Sequence, residues 1–186
     1  ILSPHVNRIV IDSKEEYENI LSFINTDIPK QKYEITLFER EEPIFDAYGI
    51  EMEIDKIFGR KVWLKSGGYI VIDMSEALVA IDVNTGRYVG KRNLADTILK
   101  TNLEAAKEIA YQLRLRNIGG IIIIDFIDME REGDREKLFH ALEEATRKDR
   151  QKTNIFEISE LGLVEMTRKR TRENISRILS EPCPYC

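Results

Sequence analysis

The chain has 186 residues, 42% of them apolar and 33% charged, with a formal net charge of −5. That length carries one large domain or two small ones. The net acidity excludes a global basic field, so any polyanion must be met by a local basic patch or through a cation. No apolar run reaches the roughly 18 residues of a membrane span, and no leader pattern is evident. Two cysteines do not build a secreted disulfide framework, so a cytoplasmic protein is the simplest expectation. Ile1 in place of Met and a terminal cysteine read as a piece of a longer chain.

The elements come in this order. Val6 to Ile11 reads as a short strand. Ser13-Lys14-Glu15-Glu16 has the capping-box pattern, and Tyr17, Ile20, Leu21 and Ile24 lie after it on one helical face. Tyr33 to Phe38 alternates like a strand. Pro43 opens a helix ending near Phe58-Gly59. Lys61 to Leu64, Ser66-Gly67-Gly68 and Tyr69 to Asp73 read as a β-hairpin, with Ala77 to Val83 as the next strand. Leu94 to Asn117 is the longest helical pattern, and Gly119-Gly120 is its expected stop. Ile121 to Phe126 reads as a strand buried on both faces. A helix over Asp134 to Lys148, strands over Asn154 to Ile158 and Leu163 to Thr167, and a short helix or turn over Glu173 to Leu179 complete the chain. The order predicts an α/β protein of two units with mixed sheets.

Two of these strands end in carboxylates. Asp82 lies in Ile81-Asp82-Val83-Asn84-Thr85-Gly86, and Asp125 comes after four isoleucines. A carboxylate leaving a buried strand is costly without compensation. Brought side by side, the two would make a hard-oxygen site for Mg²⁺ or Mn²⁺, able to polarise a phosphoryl oxygen and activate water. Asn84 projects to the same side as Asp82, and Glu76 and Asp128 are candidate supporting carboxylates. The structural alternative is that Asp82 caps the turn at Asn84-Thr85-Gly86, while Asp125 or Asp128 caps the segment after its own strand.

The loop after Asp82 carries Arg87, Tyr88, Lys91 and Arg92, suited to phosphates and an unpaired base, or else to an ordinary polar loop. Arg168, Lys169 and Arg170 form a second basic cluster, read equally well as a solvated surface. Arg114 and Arg116 suit the C-terminus of the long helix electrostatically. Cys183 and Cys186, in Cys-Pro-Tyr-Cys, are half of a tetrahedral thiolate zinc site. Completion by a second chain, a truncated zinc ribbon and an unmetallated tail remain open.

Taken together, Trp63 through Gly68, Glu76-Ala77-Leu78, Ile81 through Gly86, Thr101 through Ala106, Gln112 through Arg116, Gly119 through Asp128, Leu163 through Thr171 and Cys183 through Cys186 resemble the ribonuclease E/G family, on its G side. The likeness is near-continuous from about Pro43 onward and recognisable from Val6 to Ile24. It implies a metal-dependent endoribonuclease that cuts single-stranded, A/U-rich RNA to 5′-phosphate and 3′-hydroxyl ends, in rRNA processing and mRNA turnover. In that family the positions matching Asp82 and Asp125 bind catalytic Mg²⁺, and the asparagine matching Asn84 assists. The cysteine pair matches a zinc link shared between two protomers of a homodimer. The implied architecture is a partial RNase H-like subdomain over residues 1–59, a DNase I-like catalytic subdomain over 60–179 and the zinc link over 180–186. The family's OB-fold and 5′-phosphate sensor would lie upstream, so weak cleavage without 5′-end preference is expected of this stretch alone. A phosphodiesterase with another substrate and a non-catalytic zinc-mediated dimerisation piece stay open.

Overall fold

In the computed structural model, residues 6–27, 34–86, 94–159, 162–181 and 184 are described. The chain divides into two compact units, one up to Ile54 and one from Asp55. Both belong to a mixed α/β protein with six helices among the described residues.

The first unit is built on a βαβ element. Strands β1 (Arg8–Ile11) and β2 (Glu34–Leu37) pair in parallel, Arg8 opposite Glu34 and Ile11 opposite Leu37. Helix α1 (Lys14–Asp27) connects them and buries Ile24. Ser13 starts it, its carbonyl accepting from Tyr17 N at 2.9 Å and its hydroxyl from Glu16 N at 3.4 Å. The single helix expected from Pro43 to Phe58 is instead two, α2 (Ile44–Ala47) and α3 (Ile50–Phe58). Gly49 breaks it: its φ of 65° leaves the helical region, and its N–H closes on Asp46 O.

The second unit is one six-stranded mixed sheet in the order β3-β4-β5-β6-β8-β7. Strands β3 (Lys61–Trp63), β4 (Tyr69–Met74) and β5 (Leu78–Asn84) form the expected antiparallel meander. Helix α4 (Leu94–Leu115) crosses over to β6 (Gly120–Asp125), which runs parallel to β5. Helix α5 (Glu132–Arg147) leads to β7 (Thr153–Ile158) and β8 (Leu163–Arg168), with β8 antiparallel to β6. A short helix α6 (Ile175–Ile178) comes last. No helix among the described residues is long and apolar enough to cross a membrane.

Helices α4 and α5 cover one face of this sheet. Ile70, Ile72, Val79, Ile81, Val83, Ile122, Ile124, Val164 and Met166 point into it, against Ala105, Ala106, Ile109 and Leu113 of α4 and Leu138 and Leu142 of α5. The isoleucine strand is therefore buried on one face and not on both. Ile122 and Ile124 are fully buried, whereas Ile121 is 53% exposed. Burial alternates because the helices lie on one side, and a period of two then decides which isoleucines they reach.

The end of α4 also differs from expectation. At the helix end itself it is Asn117 that takes the left-handed conformation, with φ of 52°, while Gly120 has its positive φ of 105° further on, at the start of β6. Ile118 N then bonds back to Leu113 O at 2.9 Å, satisfying a carbonyl that the helix leaves open. Asn117 Nδ2 donates to Glu173 O at 3.0 Å, which holds the departing chain there. Gly119 and Gly120 serve a different need: a Cβ on either would press on Arg170.

Candidate active site

Asp82 and Asp125 are direct partners in the parallel β5–β6 register. Both lie on the sheet face opposite α4 and α5, and both are exposed. The register arises from the core pattern: Ile81 pairs with Ile124 and Val79 with Ile122, so inward residues align and the outward aspartates align with them. Asn84 Nδ2 donates to Asp82 Oδ2 at 2.7 Å, which fixes the orientation of that carboxylate. Partial burial first, then the charges of Asp82 and Asp128, push the Asp125 carboxyl above its ordinary value. Among the described residues no basic side chain is ion-paired with either aspartate, and no cluster of three or more His, Cys, Asp or Glu side chains suits a metal. Two carboxylates crowded on an open strand end, uncompensated by cations among these residues, still fit Mg²⁺, which keeps several waters and takes one or two protein carboxylates.

Two backbone devices hold these strand ends. Gly86, at φ of 66°, lies so close to the β3–β4 turn that a Cβ would overlap the Gly67 carbonyl oxygen. Gly68 in the same turn approaches Asn84 O, where a Cβ would stand 2.6 Å away. The Gly67-Gly68 and Thr85-Gly86 segments are thus one contact, and it sets where Asn84 ends. Glu104 of α4 braces the turn, accepting from Lys65 N at 2.6 Å and Ser66 N at 3.0 Å. Partial burial disfavours its charge, but hydrogen bonding from Ser66 and Lys65 and the nearby Lys100 ammonium outweigh it and hold the carboxyl below its ordinary value.

Asn102, fully buried on α4, clamps the chain after β6. Its Nδ2 donates to Ile127 O at 2.8 Å and its Oδ1 accepts from Ile127 N at 3.1 Å. This holds the segment between Asp125 and Asp128. Its signal was in the sequence, as a polar residue within the buried stripe of Thr101, Ala105, Ala106 and Ile109. Asn102→Ala leaves both Ile127 groups without this partner and is expected to cost about 1–3 kcal/mol. Denaturant unfolding measures the loss, and amide exchange at Ile127 should accelerate with it.

The other predicted site residues are dispersed. Arg87, Lys91 and Arg92, with Tyr88, lie outside the described residues, as do Cys183 and Cys186. Glu76 lies in the turn before β5, at the far end of that strand from Asp82, which is itself about 13 Å from the first strand residue, Leu78, at about 3.3 Å per residue. A cleft of about 630 Å³ opens at that end, between Glu76, Asn117, Arg170, Arg172 and Arg177. The second basic cluster splits. Arg168 is buried and bonded to Asp149, while Lys169 and Arg170 face solvent. Arg116 is buried too, donating to Gln112 Oε1 at 2.8 Å and Lys56 O at 3.3 Å. Burial lowers its pKa, with the charge of Glu108 opposing.

A mixed sheet with helices on one face and a carboxylate pair at two parallel strand ends on the other is an arrangement that could offer hard oxygens to a cation. Comparison with known proteins is more specific. The chain belongs to the Ribonuclease E/G family, whose profile matches residues 1–171. It is 53% identical over 181 residues to Ribonuclease G of Salmonella typhimurium (strain SL1344), covering 97% of this chain and 37% of that protein. Ribonuclease G of Haemophilus influenzae is 46% identical over 185 residues, with 100% and 38% covered. Ribonuclease E of the same organism is 41% identical over 181 residues, with 97% and 19% covered. The chain therefore spans less than two-fifths of the length of these curated relatives.

Proposed function

We propose that this chain carries the catalytic centre of a Mg²⁺- or Mn²⁺-dependent endoribonuclease. It cuts single-stranded, A/U-rich RNA by hydrolysis to 5′-phosphate and 3′-hydroxyl ends, in rRNA processing and RNA degradation in the cytoplasm. The observation that carries this reading is the register pairing of Asp82 with Asp125 on the sheet face opposite α4 and α5, in a chain of the ribonuclease E/G family.

Asp82 and Asp125 would hold the divalent ion. Bound there, the ion supplies Lewis-acid charge to a phosphoryl oxygen and lowers the pKa of water. Asn84 fixes Asp82 through its amide, so the Asp82 carboxylate meets its ligand pre-oriented. Asn102 keeps the Asp125–Asp128 segment in place. Arg87, Lys91 and Arg92 position the RNA backbone, and the exposed Lys169 and Arg170 meet it further along the sheet. Residues 60–179 act as a DNase I-like catalytic subdomain, and residues 1–59 belong to an RNase H-like one.

The test is incubation of this chain with a short A/U-rich single-stranded RNA, with Mg²⁺ and with EDTA. Cuts that need Mg²⁺ and leave 5′-phosphates are expected. The same cuts in EDTA, or 2′,3′-cyclic phosphate products, would overturn the reading.

Cys183 and Cys186 would donate two thiolates, and a second protomer two more, to one shared Zn²⁺. Replacing both with Ser is expected to convert the dimer mainly to monomer, as would chelation of zinc. Light scattering that shows an unchanged dimer mass in the variant would refute the clasp.

A further inference from the structure

The β3–β4 hairpin sets an aromatic and cationic group on the same sheet face as the acid pair. Trp63 and Tyr69 are cross-strand partners, and their rings meet edge to face with centroids 5.4 Å apart. The Lys61 ammonium stands 3.5 Å from the Tyr69 ring centroid and 4.1 Å from that of Trp63. Register ties the group to the site. Tyr69 pairs with Asn84, giving the row Trp63–Tyr69–Asn84. Lys61 pairs with Val71, Val71 with Asp82 and Asp82 with Asp125, giving the adjacent row. At about 4.8 Å between strands, Tyr69 is one strand from Asn84 and Trp63 two.

Core packing does not account for Trp63. Its strand turns Val62 inward against the core and leaves the indole 65% exposed. An exposed indole beside a fixed ammonium suits a ligand with both a π face and negative charge. Bases stack on aromatic rings, while phosphates are met by cations. The cation–π contacts keep the Lys61 charge at the aromatic pair when it would otherwise sweep through solvent.

We propose that Trp63, Tyr69 and Lys61 form a stacking platform for an unpaired base of single-stranded RNA next to the scissile position, with Lys61 meeting the adjoining phosphate. This rests on the ribonuclease reading above. The platform would hold the nucleotide that neighbours the cleaved bond and so bring the phosphate over Asp82 and Asp125. Two features favour RNA over a protein partner: the cation fixed at the rings, and the unbroken row leading to Asn84.

Trp63 is the sole tryptophan of the chain, so its emission reports on the platform directly. The experiment titrates a short A/U-rich single-stranded RNA into the full chain in EDTA, reading indole emission and, in parallel, anisotropy of a labelled copy of that RNA. The expected result is quenching that tracks binding, with an abasic oligonucleotide binding without the quench. Trp63→Ala should weaken binding by about tenfold or more and Trp63→Tyr by less, with unfolding midpoints showing both variants folded. Asp125→Asn should keep the quench while losing cleavage in Mg²⁺. RNA binding with unchanged emission, or with equal affinity in Trp63→Ala, would overturn the platform and leave the nuclease reading standing. Absence of both binding and Mg²⁺-dependent cleavage would overturn both. Emission that changes with protein concentration and not with RNA would overturn the platform in favour of a contact between copies of the chain.

Discussion

Asp82→Asn and Asp125→Asn are each expected to lower Mg²⁺-dependent RNA cleavage by about a thousandfold or more, on the order of 4 kcal/mol of transition-state stabilisation. The replacements keep shape and remove one negative charge from a pair that sits strand to strand. The fold should persist, because both side chains lie on the face opposite α4 and α5 and neither fills the core. In EDTA, Asp125→Asn should be at least as stable as the parent, since it relieves repulsion from Asp82 and Asp128. Mg²⁺ should then raise the unfolding midpoint of the parent and not of the variant, because a ligand stabilises only the state that binds it. Single-turnover cleavage and thermal unfolding, each with Mg²⁺ and with EDTA, check both halves. Cleavage at the parental rate in either variant would refute the assignment. Reduced cleavage together with a lowered midpoint in EDTA would make these aspartates structural.

The second large effect lies in the buried pair of Arg168 and Asp149. Their side chains are 4% and 7% exposed, and the guanidinium grips both carboxylate oxygens, Nε to Oδ2 at 2.7 Å and NH2 to Oδ1 at 3.2 Å. The remaining nitrogen, NH1, donates to Ile118 O at 2.6 Å, which ties the loop after α4 to the end of β8. Arg168→Leu is expected to destabilise the protein by about 3–5 kcal/mol, because Asp149 is left charged in the interior. Replacing both partners by apolar residues should cost less than the two single losses added together. Denaturant unfolding of the two single variants and the double variant measures this coupling. Strict additivity would show that the pair does not act as a unit.

The same pair sets a pH dependence. Burial disfavours the Asp149 charge, but hydrogen bonds from Arg168 and from the Gln151 N–H, with the charges of Arg168 and Arg114, outweigh it and hold the carboxyl below its ordinary value. A depressed carboxyl contributes stability that is present above its unfolded value, about 3.9, and lost as pH falls through its folded value. Acid unfolding of the parent should therefore include a component below about pH 4 that Asp149→Asn lacks.

Much of the architecture was legible in the linear chain. Periodicity located β1, α1, β2, the β3–β4–β5 meander, α4, β6, α5, β7 and β8 with small shifts at their ends, because a strand or helix repeats its apolar side chains within a few residues. Two helix ends were not read correctly. Gly49 divided one predicted helix through its own positive φ. Asn117 ended α4 because its side chain had Glu173 O to reach, fifty-six residues on.

The candidate site divides the same way. That Asp82 and Asp125 leave apolar strands, that Asn84 comes after Asp82 at the spacing of one face, and that the motifs are those of the ribonuclease E/G family all belong to the sequence by itself. Arg168, Lys169 and Arg170 look alike in the sequence, yet β8 ends with Arg168 turned inward to Asp149, while Lys169 and Arg170 follow the strand and are exposed, Arg170 with its Nε on Gly119 O. The parallel register that makes the two aspartates neighbours needs the crossover of α4 and the fit of Ile81 against Ile124. Those are contacts between residues some forty positions apart, and no local pattern encodes them. The choice of open face is equally non-local. Alternation says that two sets of side chains diverge, and only the docking of α4 and α5 on one set decides that Asp82, Asp125, Asn84, Lys61, Trp63 and Tyr69 are the set left to meet a ligand.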